Sequence, residues 1–246
     1  MPGATNVLVL SDNAQLYTAF RSIAKDVALE GVSFRYAYSA GRFTSPLREE
    51  PGLLGLDVKR DVARIVDEFD LVISAHCKQL FPEAMVRGVR CVNVHPGLNP
   101  YNRGWFPQVF SILNGMPLGA TIHEIDAELD HGPIIAQKQI PVHPWDTSKT
   151  AYDRVLEAEF DLLREHLASI VSHDYRASPP DREGNLNRKR DYDRLTRLDL
   201  SETGSLGEFL DRLRALTHPP HANAYFETEN GEKVFVEVRL SRAGDP

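Results

Sequence analysis

The chain has 246 residues, of which 42% are hydrophobic and 26% are charged, as in an ordinary globular protein with a sizeable core. The formal net charge of -7 argues against a broad basic surface for duplex DNA or tRNA, so no nucleic-acid partner is expected. No apolar run approaches the roughly 20 residues that span a bilayer, and the first residues lack the basic start of a signal peptide, so no membrane association is expected. The two cysteines, Cys77 and Cys91, do not indicate a disulfide framework, and a reduced, cytoplasmic protein is the simplest interpretation.

The first part of the chain alternates between short apolar runs and segments with helical spacing. Strands are predicted at 6–10, 32–38, 71–74 and 90–94, and helices at 14–29 and 58–68. Strands that alternate with helices form βαβ units. The expected fold class is therefore α/β, with an open, mainly parallel, Rossmann-like sheet and helices on both faces.

The rest of the chain continues this sheet and then changes character. A helix near 106–113, strands at 119–125 and 133–142, and a long helix over 149–171 are predicted. The polar, proline-interrupted segment 172–194 is interpreted as a linker, and its charged run 187–194 as a solvated face. A short helix over 206–216 and a β-hairpin around Asn230-Gly231 follow. We therefore expect an α/β domain over 1–175 and a small C-terminal helix and hairpin region over 176–246.

Two loops fall where ligands bind in such sheets, outside the carboxyl ends of the strands. They are "SAHCKQ" after the third strand and "HPGLNPYNRGW" after the fourth. Asn93 and His95 lie two residues apart on the fourth strand, so their side chains point to the same face. An Asn amide can donate to a developing oxyanion and a His can move a proton near neutral pH. The alternative is a strand-end histidine bonded to a backbone carbonyl.

A second polar segment, "TIHEIDAELDHGPII", separates the next two predicted strands. Its Asp130 could orient or charge-stabilise His95. A metal site built from His123, Asp126, Asp130 and His131 is a competing interpretation, but these spacings match no compact zinc motif, and no metal is expected. The tract "HPPH" at 218–221 is interpreted as a rigid turn. Dinucleotide, P-loop and serine-hydrolase motifs are absent from the sequence.

Asn93-x-His95-Pro96 followed by "HEIDAELDHGPII" resembles the signature of the folate-dependent formyltransferases. The Asn, His and Asp of that signature correspond to Asn93, His95 and Asp130, which the resemblance implies are catalytic. The position of His123 seven residues before the Asp also matches. Two separated motifs in the right order are more specific than either alone.

A finer resemblance is carried by "SAHCKQLFP" and "NVHPGLNPYNRGWFPQVFSI". These segments are similar to N-formyltransferases that act on nucleotide-linked 3-amino- or 4-amino-dideoxy sugars. The similarity covers about residues 6–171 and continues loosely through "DYDRL" and "LRALTHPPHANAYF". It implies formyl transfer from N10-formyltetrahydrofolate to such a sugar, of the dTDP-4-amino-4,6-dideoxyglucose type, for O-antigen or other surface glycans. Residues 1–175 would then be the formyltransferase catalytic domain.

The resemblance also implies the residues that contact the two substrates. The folate is expected to contact Lys78, Gln79, Leu80, Ile125, Asp126, Leu129 and Asp130. The nucleotide sugar is expected to contact Lys78, Tyr101, Asn102, Arg103 and Trp105. In this interpretation Arg103 binds phosphate oxygens with its planar fork, and its alternative is a surface ion pair. Trp105 contacts the sugar or base, and its alternative is core packing.

Three further points stay open at this level. The exposed edge of the C-terminal hairpin suggests a homodimer that uses this region. A formyltetrahydrofolate hydrolase or a purine transformylase is an alternative on the same fold. A non-catalytic nucleotide-sugar binding protein is an alternative of another class.

Overall fold

A computed structural model describes residues 5–41 and 44–244 of the chain. It contains eleven strands, numbered in chain order: β1 (Thr5–Ser11), β2 (Val32–Ser39), β3 (Leu54–Leu56), β4 (Leu71–Ala75), β5 (Arg90–His95), β6 (Arg103–Gly104), β7 (Leu118–Glu124), β8 (Ile134–Ile140), β9 (Leu186–Asn187), β10 (Ala224–Glu227) and β11 (Lys233–Val236). The α-helices are α1 (Ala14–Val27), α2 (Val62–Glu68), α3 (Glu83–Gly88), α4 (Pro107–Asn114), α5 (Ser148–Ser172), α6 (Lys189–Thr196) and α7 (Leu206–Leu216).

Seven of the strands form one sheet in the order β3-β2-β1-β4-β5-β7-β8. The first five of these strands in that order are parallel to their neighbours, whereas β7 pairs antiparallel with β5 and β8 antiparallel with β7. The predicted α/β fold with a mainly parallel sheet is therefore confirmed. The antiparallel pairing of β8 with β7 has a physical reason, because these two strands are joined by a loop without a crossover helix.

Alternate residues of the central strands pack into two apolar clusters, one on each face of the sheet. On β5, Val92 and Val94 belong to the cluster that packs against α1, α4 and α5. Cys91 belongs to the cluster that packs with α2 and α3. Asn93 and His95 share the parity of Cys91, so both point to that second face beyond the end of the apolar cluster. The catalytic face predicted for these two residues is thus set by strand alternation alone.

The two long helices that border the site begin at side-chain caps. Asn13 precedes α1, and its side-chain oxygen accepts the Leu16 N–H at 2.9 Å. Thr147 precedes α5 in a reciprocal capping box with Thr150. Such caps satisfy amide groups that the first turn of a helix leaves free, so they fix where each helix starts. The start of α1 directly after β1 places its first turn at the carboxyl edge of the sheet.

The C-terminal region differs from the sequence expectation in its first part and matches it in the second. The predicted linker contains β9 and α6, and β9 pairs in parallel with β6. The predicted helix over 206–216 is α7, and β10 and β11 form the predicted hairpin. Gly231 lies in its turn with φ 78°, a conformation that favours glycine. In the ranges 5–41 and 44–244, no helix combines the length and apolar character needed to cross a bilayer.

Candidate active site

A cavity of about 1440 Å³ opens at the carboxyl ends of β1, β4 and β5. Pockets for a single small molecule usually hold about 300–1000 Å³, so this cavity has room for two ligands side by side. Its wall combines Asn93, His95 and the loop 125–130 with residues from the starts of α1 and α5. The two loops that the sequence placed at this edge both contribute to it.

Asn93, His95 and Asp130 converge as predicted. The Asn93 amide donates to Asp130 Oδ1 at 3.0 Å, and the backbone N–H of Gly104 donates to Asp130 Oδ2 at 3.1 Å. Asp130 itself has φ 49°, and the Asn99 amide donates to its carbonyl oxygen at 2.9 Å. The left-handed conformation is tolerated by Asp and turns its carboxylate back toward β5.

His123 fixes the direction of the Asn93 amide. Its Nδ1 lies 2.7 Å from the carbonyl oxygen of Glu124, which only accepts hydrogen bonds, so Nδ1 carries the ring proton. Its Nε2 is then an acceptor and receives the second Asn93 hydrogen at 3.2 Å. Both hydrogens of the Asn93 amide are therefore engaged in this conformation. An oxyanion contact from Asn93, as the resemblance implies, requires one of these two bonds to open.

His95 is 3% exposed and lies next to the cavity with one nitrogen unused. Its Nδ1 is 3.6 Å from Asp130 Oδ2, beyond a normal hydrogen bond. Within the residues described, no donor or acceptor satisfies Nε2. A Cβ on Gly97 would lie 2.5 Å from that Nε2, so glycine is needed for the loop to pass beside the imidazole.

The pKa values of both members of this pair are lowered from their ordinary values. Burial is the main cause that lowers the pKa of His95 to about 4, against an opposing effect of Asp130. Burial alone would raise the pKa of Asp130, but His95, His123 and the Gly104 N–H hold it at about 2. At neutral pH the pair is therefore a neutral imidazole beside a carboxylate. A neutral imidazole with a free nitrogen can accept a proton.

All seven residues predicted to contact the folate line the cavity: Lys78, Gln79, Leu80, Ile125, Asp126, Leu129 and Asp130. The side chain of Gln79 is already hydrogen-bonded within the protein. Its Nε2 donates to Leu56 O at 2.7 Å, and its Oε1 accepts from Val58 N–H at 2.8 Å. Leu80 is 66% exposed, an unusual state for a leucine beside a cavity. Apolar side chains next to backbone donors and acceptors suit a flat, polar-edged ring system, so this wall fits a pterin.

The loop between β7 and β8 owes its shape to two local features. Asp126 Oδ1 accepts the Glu128 N–H at 2.9 Å, and its Oδ2 lies 2.8 Å from His131 Nδ1. A Cβ on Gly132 would lie 1.9 Å from Glu124 O, so only glycine fits where the loop closes. Asp126 and His131 thus shape the loop that presents Asp130.

Three of the five residues predicted to contact the nucleotide sugar lie outside the cavity wall, namely Tyr101, Asn102 and Arg103, whereas Lys78 and Trp105 line it. Asn102 is 0% exposed, and its amide donates to Ser111 Oγ at 3.0 Å. Arg103 is 6% exposed and bonds Glu183 at 3.2 Å. In this structure φ 49° at Asn102 turns its side chain inward and β9 pairs with β6, so contact of these three side chains with the nucleotide sugar stays a prediction.

A further part of the cavity wall is polar and was not predicted from the sequence. Its members come from four separate segments and form two hydrogen-bonded groups, Asn13 with His76 and Tyr152, and Ser148 with His218. Burial is the main cause that lowers the pKa of His218 to about 4 and raises that of Tyr152. The first turns of α1 and α5 and the Lys149 ammonium border this wall. Of its members, only His76 and His218 lie in segments that the sequence singled out, "SAHCKQ" and "HPPH".

An aromatic group forms a further part of the cavity. Trp105 and Phe106 lie 5.6 Å apart between ring centroids, and Tyr192 packs on Phe106 at 4.2 Å. Tyr192 belongs to α6, in the charged run that was predicted to be a solvated face. The charged residues of this helix are largely exposed, but Tyr192 is not. Aromatic faces of this kind suit a nucleobase.

Neither metal nor disulfide chemistry emerges from the geometry of the described residues. Across 5–41 and 44–244, no group of three or more His, Cys, Asp or Glu side chains is arranged to hold a metal ion. His218 and His221 are joined across a turn by backbone bridging, as predicted for "HPPH". Cys77 and Cys91 are both free thiols.

The chain was compared with protein families and with known proteins. A profile described as "Formyl transferase" matches residues 2–167. The chain belongs to the formyl transferase family. A second profile, "N-formyltransferase dimerization C-terminal domain", matches residues 191–242.

Individual relatives agree with this assignment. The chain is 55% identical over 198 residues to the dTDP-4-amino-4,6-dideoxyglucose formyltransferase of Mycobacterium tuberculosis, covering 80% of this chain and 85% of that protein. Its structure is similar to a sugar N-formyltransferase from Shewanella sp FDAARGOS_354, with a TM-score of 0.93 and 43% identity over 97% of this chain and 98% of that one. A 4-N formyltransferase from Francisella tularensis gives a TM-score of 0.90 and 38% identity over 97% of this chain and 99% of that one.

Proposed function

We propose that this formyltransferase transfers the formyl group of N10-formyltetrahydrofolate to the 4-amino group of a dTDP-linked 4-amino-4,6-dideoxyhexose. The observation that carries the proposal is the neutral His95, which lines a two-ligand cavity, has a buried Nε2 without a partner among the described residues and has its Nδ1 3.6 Å from the Asp130 carboxylate. The similarity to the dTDP-4-amino-4,6-dideoxyglucose formyltransferase supports the choice of acceptor.

The chemistry at His95 follows from its hydrogen bonds. Bound formyl-folate supplies an activated formyl carbon and a leaving nitrogen. Nε2 of His95 accepts the proton that the sugar amine loses as it attacks. The imidazolium that results lies next to the Asp130 carboxylate, and the 3.6 Å gap between Nδ1 and Oδ2 can shorten to a charge-assisted hydrogen bond. Nε2 is then the donor for the departing nitrogen.

The two ligands are assigned to different walls. The folate lies against Leu80 and the loop Ile125–Asp130. The diphosphate of the nucleotide sugar lies near Lys149 and the first turns of α1 and α5, where helix N-termini favour anions. Lys149 is held by Asp153 at 2.6 Å and reaches the diphosphate from that position. This assignment replaces Arg103, which, unlike Lys149, does not line the cavity. The base lies against Trp105 and Phe106.

The experiment is a substrate panel read by mass spectrometry. The purified protein is incubated with formyl-folate and, in separate arms, dTDP-4-amino-, dTDP-3-amino- and GDP-4-amino-dideoxy sugars, and glycinamide ribonucleotide. The expected result is a mass gain of one formyl group on the dTDP-4-amino sugar. Formate release in an arm without acceptor identifies a hydrolase, and formylated ribonucleotide a purine transformylase. Binding of dTDP-sugar without turnover in any arm identifies a non-catalytic binding protein.

A variant and a matched control connect the panel to the site. His95→Asn removes the proton acceptor at the cavity, whereas His166→Asn changes a half-exposed histidine of α5 that lies outside it. Product formation is expected to be lost only in the first variant. Equal rates for both variants contradict the role of His95.

We also infer that the protein is a homodimer that associates through its C-terminal region. The part matched by the dimerization profile carries large apolar side chains on its surface, including Leu206 at 74%, Leu210 at 40% and Phe235 at 51% exposure. Exposed apolar groups clustered on one region mark an interface. A second copy of the chain is the occupant that the family description supports.

Light scattering after size-exclusion chromatography tests the dimer. Phe235→Glu is expected to shift the mass to that of a monomer, because a charge at the centre of an apolar interface is costly. Leu54→Glu is the control, since Leu54 is 64% exposed on β3, far along the chain from the matched segment. A Phe235→Glu protein with unchanged mass removes this surface from the proposal. A cytoplasmic location and a role in surface glycan assembly complete the proposal, since the acceptor is a soluble nucleotide sugar.

A further inference from the structure

Glu159 is a charged residue in a place that normally holds an apolar one. It lies on α5 among Val155, Leu156 and Leu163, and it is 0% exposed. Charged side chains are almost never fully buried unless they are paired. Its only partner among the described residues is His76, whose Nε2 lies 2.8 Å from Oε1, while Oε2 has none. A half-satisfied buried carboxylate is a poor source of stability, so its presence calls for another reason.

His76 connects this carboxylate to the cavity. It follows β4 with φ 59°, and its Nδ1 lies 3.2 Å from Tyr152 Oη and 3.3 Å from Asn13 Nδ2. His76, Tyr152 and Asn13 all line the cavity. The four side chains therefore form one chain of contacts from the apolar interior to the nucleotide-sugar wall.

The orientation of Asn13 is fixed independently of this group. Its Oδ1 accepts the Leu16 N–H as the cap of α1, so its NH₂ must face the other way. One of its hydrogens goes to Tyr152 Oη at 2.7 Å. An exchange of the amide oxygen and nitrogen is excluded, because it would leave the helix uncapped.

Counting hydrogens shows what Glu159 controls. With a carboxylate at Nε2, the ring proton of His76 lies on Nε2 and Nδ1 is an acceptor. The Asn13 NH₂ and the Tyr152 hydroxyl together carry three hydrogens, and in the described part of the chain they have two acceptors, Tyr152 Oη and His76 Nδ1. One hydrogen is left over and is available to the cavity. With the proton on Nδ1, that nitrogen would donate instead, and the group would have a different set of donors.

We propose that Glu159 is a positioning residue that holds His76 in its Nε2–H form, so that Tyr152 and Asn13 offer one hydrogen to an acceptor oxygen of the bound nucleotide sugar. Burial raises the pKa of Tyr152, which keeps its hydroxyl protonated. The proposal rests on the proposed function for the identity of the ligand. It does not rest on it for the tautomer, which is a property of the free protein.

The tautomer is tested first, by long-range ¹H–¹⁵N NMR of the histidine rings in the full-length free protein, with the His76 signal assigned by its loss in His76→Asn. The expected spectrum has a protonated Nε2 and a bare Nδ1. Glu159→Gln is expected to shift the ring toward the Nδ1–H form, because the new amide can donate to Nε2. A protonated Nδ1 in the unsubstituted protein overturns the proposal, whatever the enzyme formylates.

The ligand is tested by steady-state kinetics and by calorimetric binding of the dTDP-amino sugar. Glu159→Gln and Tyr152→Phe are each expected to raise the KM of the nucleotide sugar on the order of tenfold, with the KM of formyl-folate unchanged and kcat within about threefold. Glu159→Asp is expected to restore part of the affinity. A uniform loss of kcat, or equal changes in both KM values, identifies a structural role and contradicts the proposal.

A double-mutant cycle separates coupling from independent damage. Because both substitutions act on the same hydrogen, Glu159→Gln with Tyr152→Phe is expected to be no worse than either alone. If the effects of the two substitutions on the KM of the nucleotide sugar multiply in the double variant, the connection through His76 is contradicted. Where Glu159→Gln fails to fold, the tautomer of the unsubstituted protein and the KM of Tyr152→Phe still decide the question. Absence of turnover on every acceptor would defeat the proposed function, and the NMR result would stand apart from it.

Discussion

Two histidine–carboxylate pairs face the same cavity, and they are built in opposite ways. In the pair His95–Asp130 the nearest atoms are 3.6 Å apart, and Nε2 of the ring lacks a partner among the described residues. In the pair His76–Glu159 the corresponding distance is 2.8 Å, and both ring nitrogens are in contact with protein groups. The first carboxylate lies on a loop and the second on a helix of 25 residues.

The difference separates a pair that can act on a proton from a pair that can only orient its neighbours. A contact that is already short in the free enzyme gains little when charge develops during a reaction. A longer contact can strengthen at that moment, and only interactions that strengthen in the transition state raise kcat. His95 has a ring nitrogen without a partner, whereas both ring nitrogens of His76 have protein partners. We therefore expect substitutions of the two histidines to change different kinetic constants.

The largest expected effect comes from exchanging each histidine for asparagine. His95→Asn is expected to lower kcat by about 10²–10⁴-fold with little change in either KM, because proton transfer by a positioned side chain contributes that much. His76→Asn is expected to act mainly on the KM of the nucleotide sugar. Steady-state kinetics with both substrates varied measures the two patterns. A fall in kcat of equal size in both variants would erase the distinction between the pairs.

A smaller loss is expected when His95 is displaced rather than removed. Gly97→Ala places a methyl group where the nearest atom, His95 Nε2, is 2.5 Å away, so the ring must shift. A displacement of about 1 Å costs on the order of 10²-fold in rate, and we expect this loss to appear in kcat. Gly207→Ala is the control, because a Cβ there meets Ser205 Oγ only at 3.8 Å. A Gly97→Ala enzyme with normal kcat would show that His95 need not hold its position.

A third polar cluster, outside the cavity, shows what a purely structural network does. Asn102 is fully buried, donates to Ser111 and accepts from Asn114 at 2.8 Å and Asn185 at 2.7 Å. Asn102→Ala is expected to lower the free energy of unfolding by about 2–3 kcal/mol, because it removes a partner of the buried Ser111 hydroxyl and of two amides, and places Ala at a positive φ. Urea unfolding measures this change.

The kinetic control for Asn102 completes that comparison. The folded fraction of Asn102→Ala is expected to keep the KM of the nucleotide sugar, because the side chain lies outside the cavity. Asn114→Ala, which removes one partner only, is expected to cost less stability. A large rise in the KM of the nucleotide sugar at unchanged stability would mean that Asn102 contacts this substrate.

The sequence predicted features that follow from local periodic patterns better than features that depend on very short elements or on contacts between distant segments. The bounds of long periodic elements such as α5 were predicted within a few residues. Strand alternation also predicted that Asn93 and His95 lie on the same face of β5. The elements β3, α3, β6, β9 and α6 have two to eight residues each and were missed, because periodicity needs more turns or repeats to appear.

The predicted site failed at contacts between distant segments. Asp130 was placed correctly because its motif is local and the resemblance supplied its role. Arg103 lies outside the cavity wall and pairs with Glu183, 80 residues later, and neither this pairing nor the positive φ at Asn102 can be read from the sequence. The contact between His76 and Glu159 spans 83 residues, so no local pattern announces it.

The smallest expected effect is the pH dependence of stability, which reports the loose pair directly. The pKa of His95 and that of His218 are lowered from 6.5 to about 4, mainly by burial. Unfolding therefore takes up protons below pH 6.5, so the stability that these rings contribute is complete above that pH and is lost as the pH falls toward 4. The slope is at most about 1.4 kcal/mol per pH unit for each ring. The stability that Asp130 contributes, with its pKa lowered from 3.8 to about 2, is complete above about pH 4 and is lost only as the pH falls from 4 toward 2, in a separate window.

Urea unfolding of the unsubstituted protein between pH 7.5 and 5 is expected to show a falling free energy, and His95→Asn is expected to flatten the slope. His166→Asn, a half-exposed ring on α5, is expected to leave the slope unchanged. Because His95 stays neutral down to about pH 4, the same titration predicts that kcat does not lose the base between pH 7 and 5. A His95→Asn protein with the original slope would mean that His95 is charged in the folded protein. In that case the loose pair would be an ion pair like any other, and the contrast with His76–Glu159 would rest on distance alone.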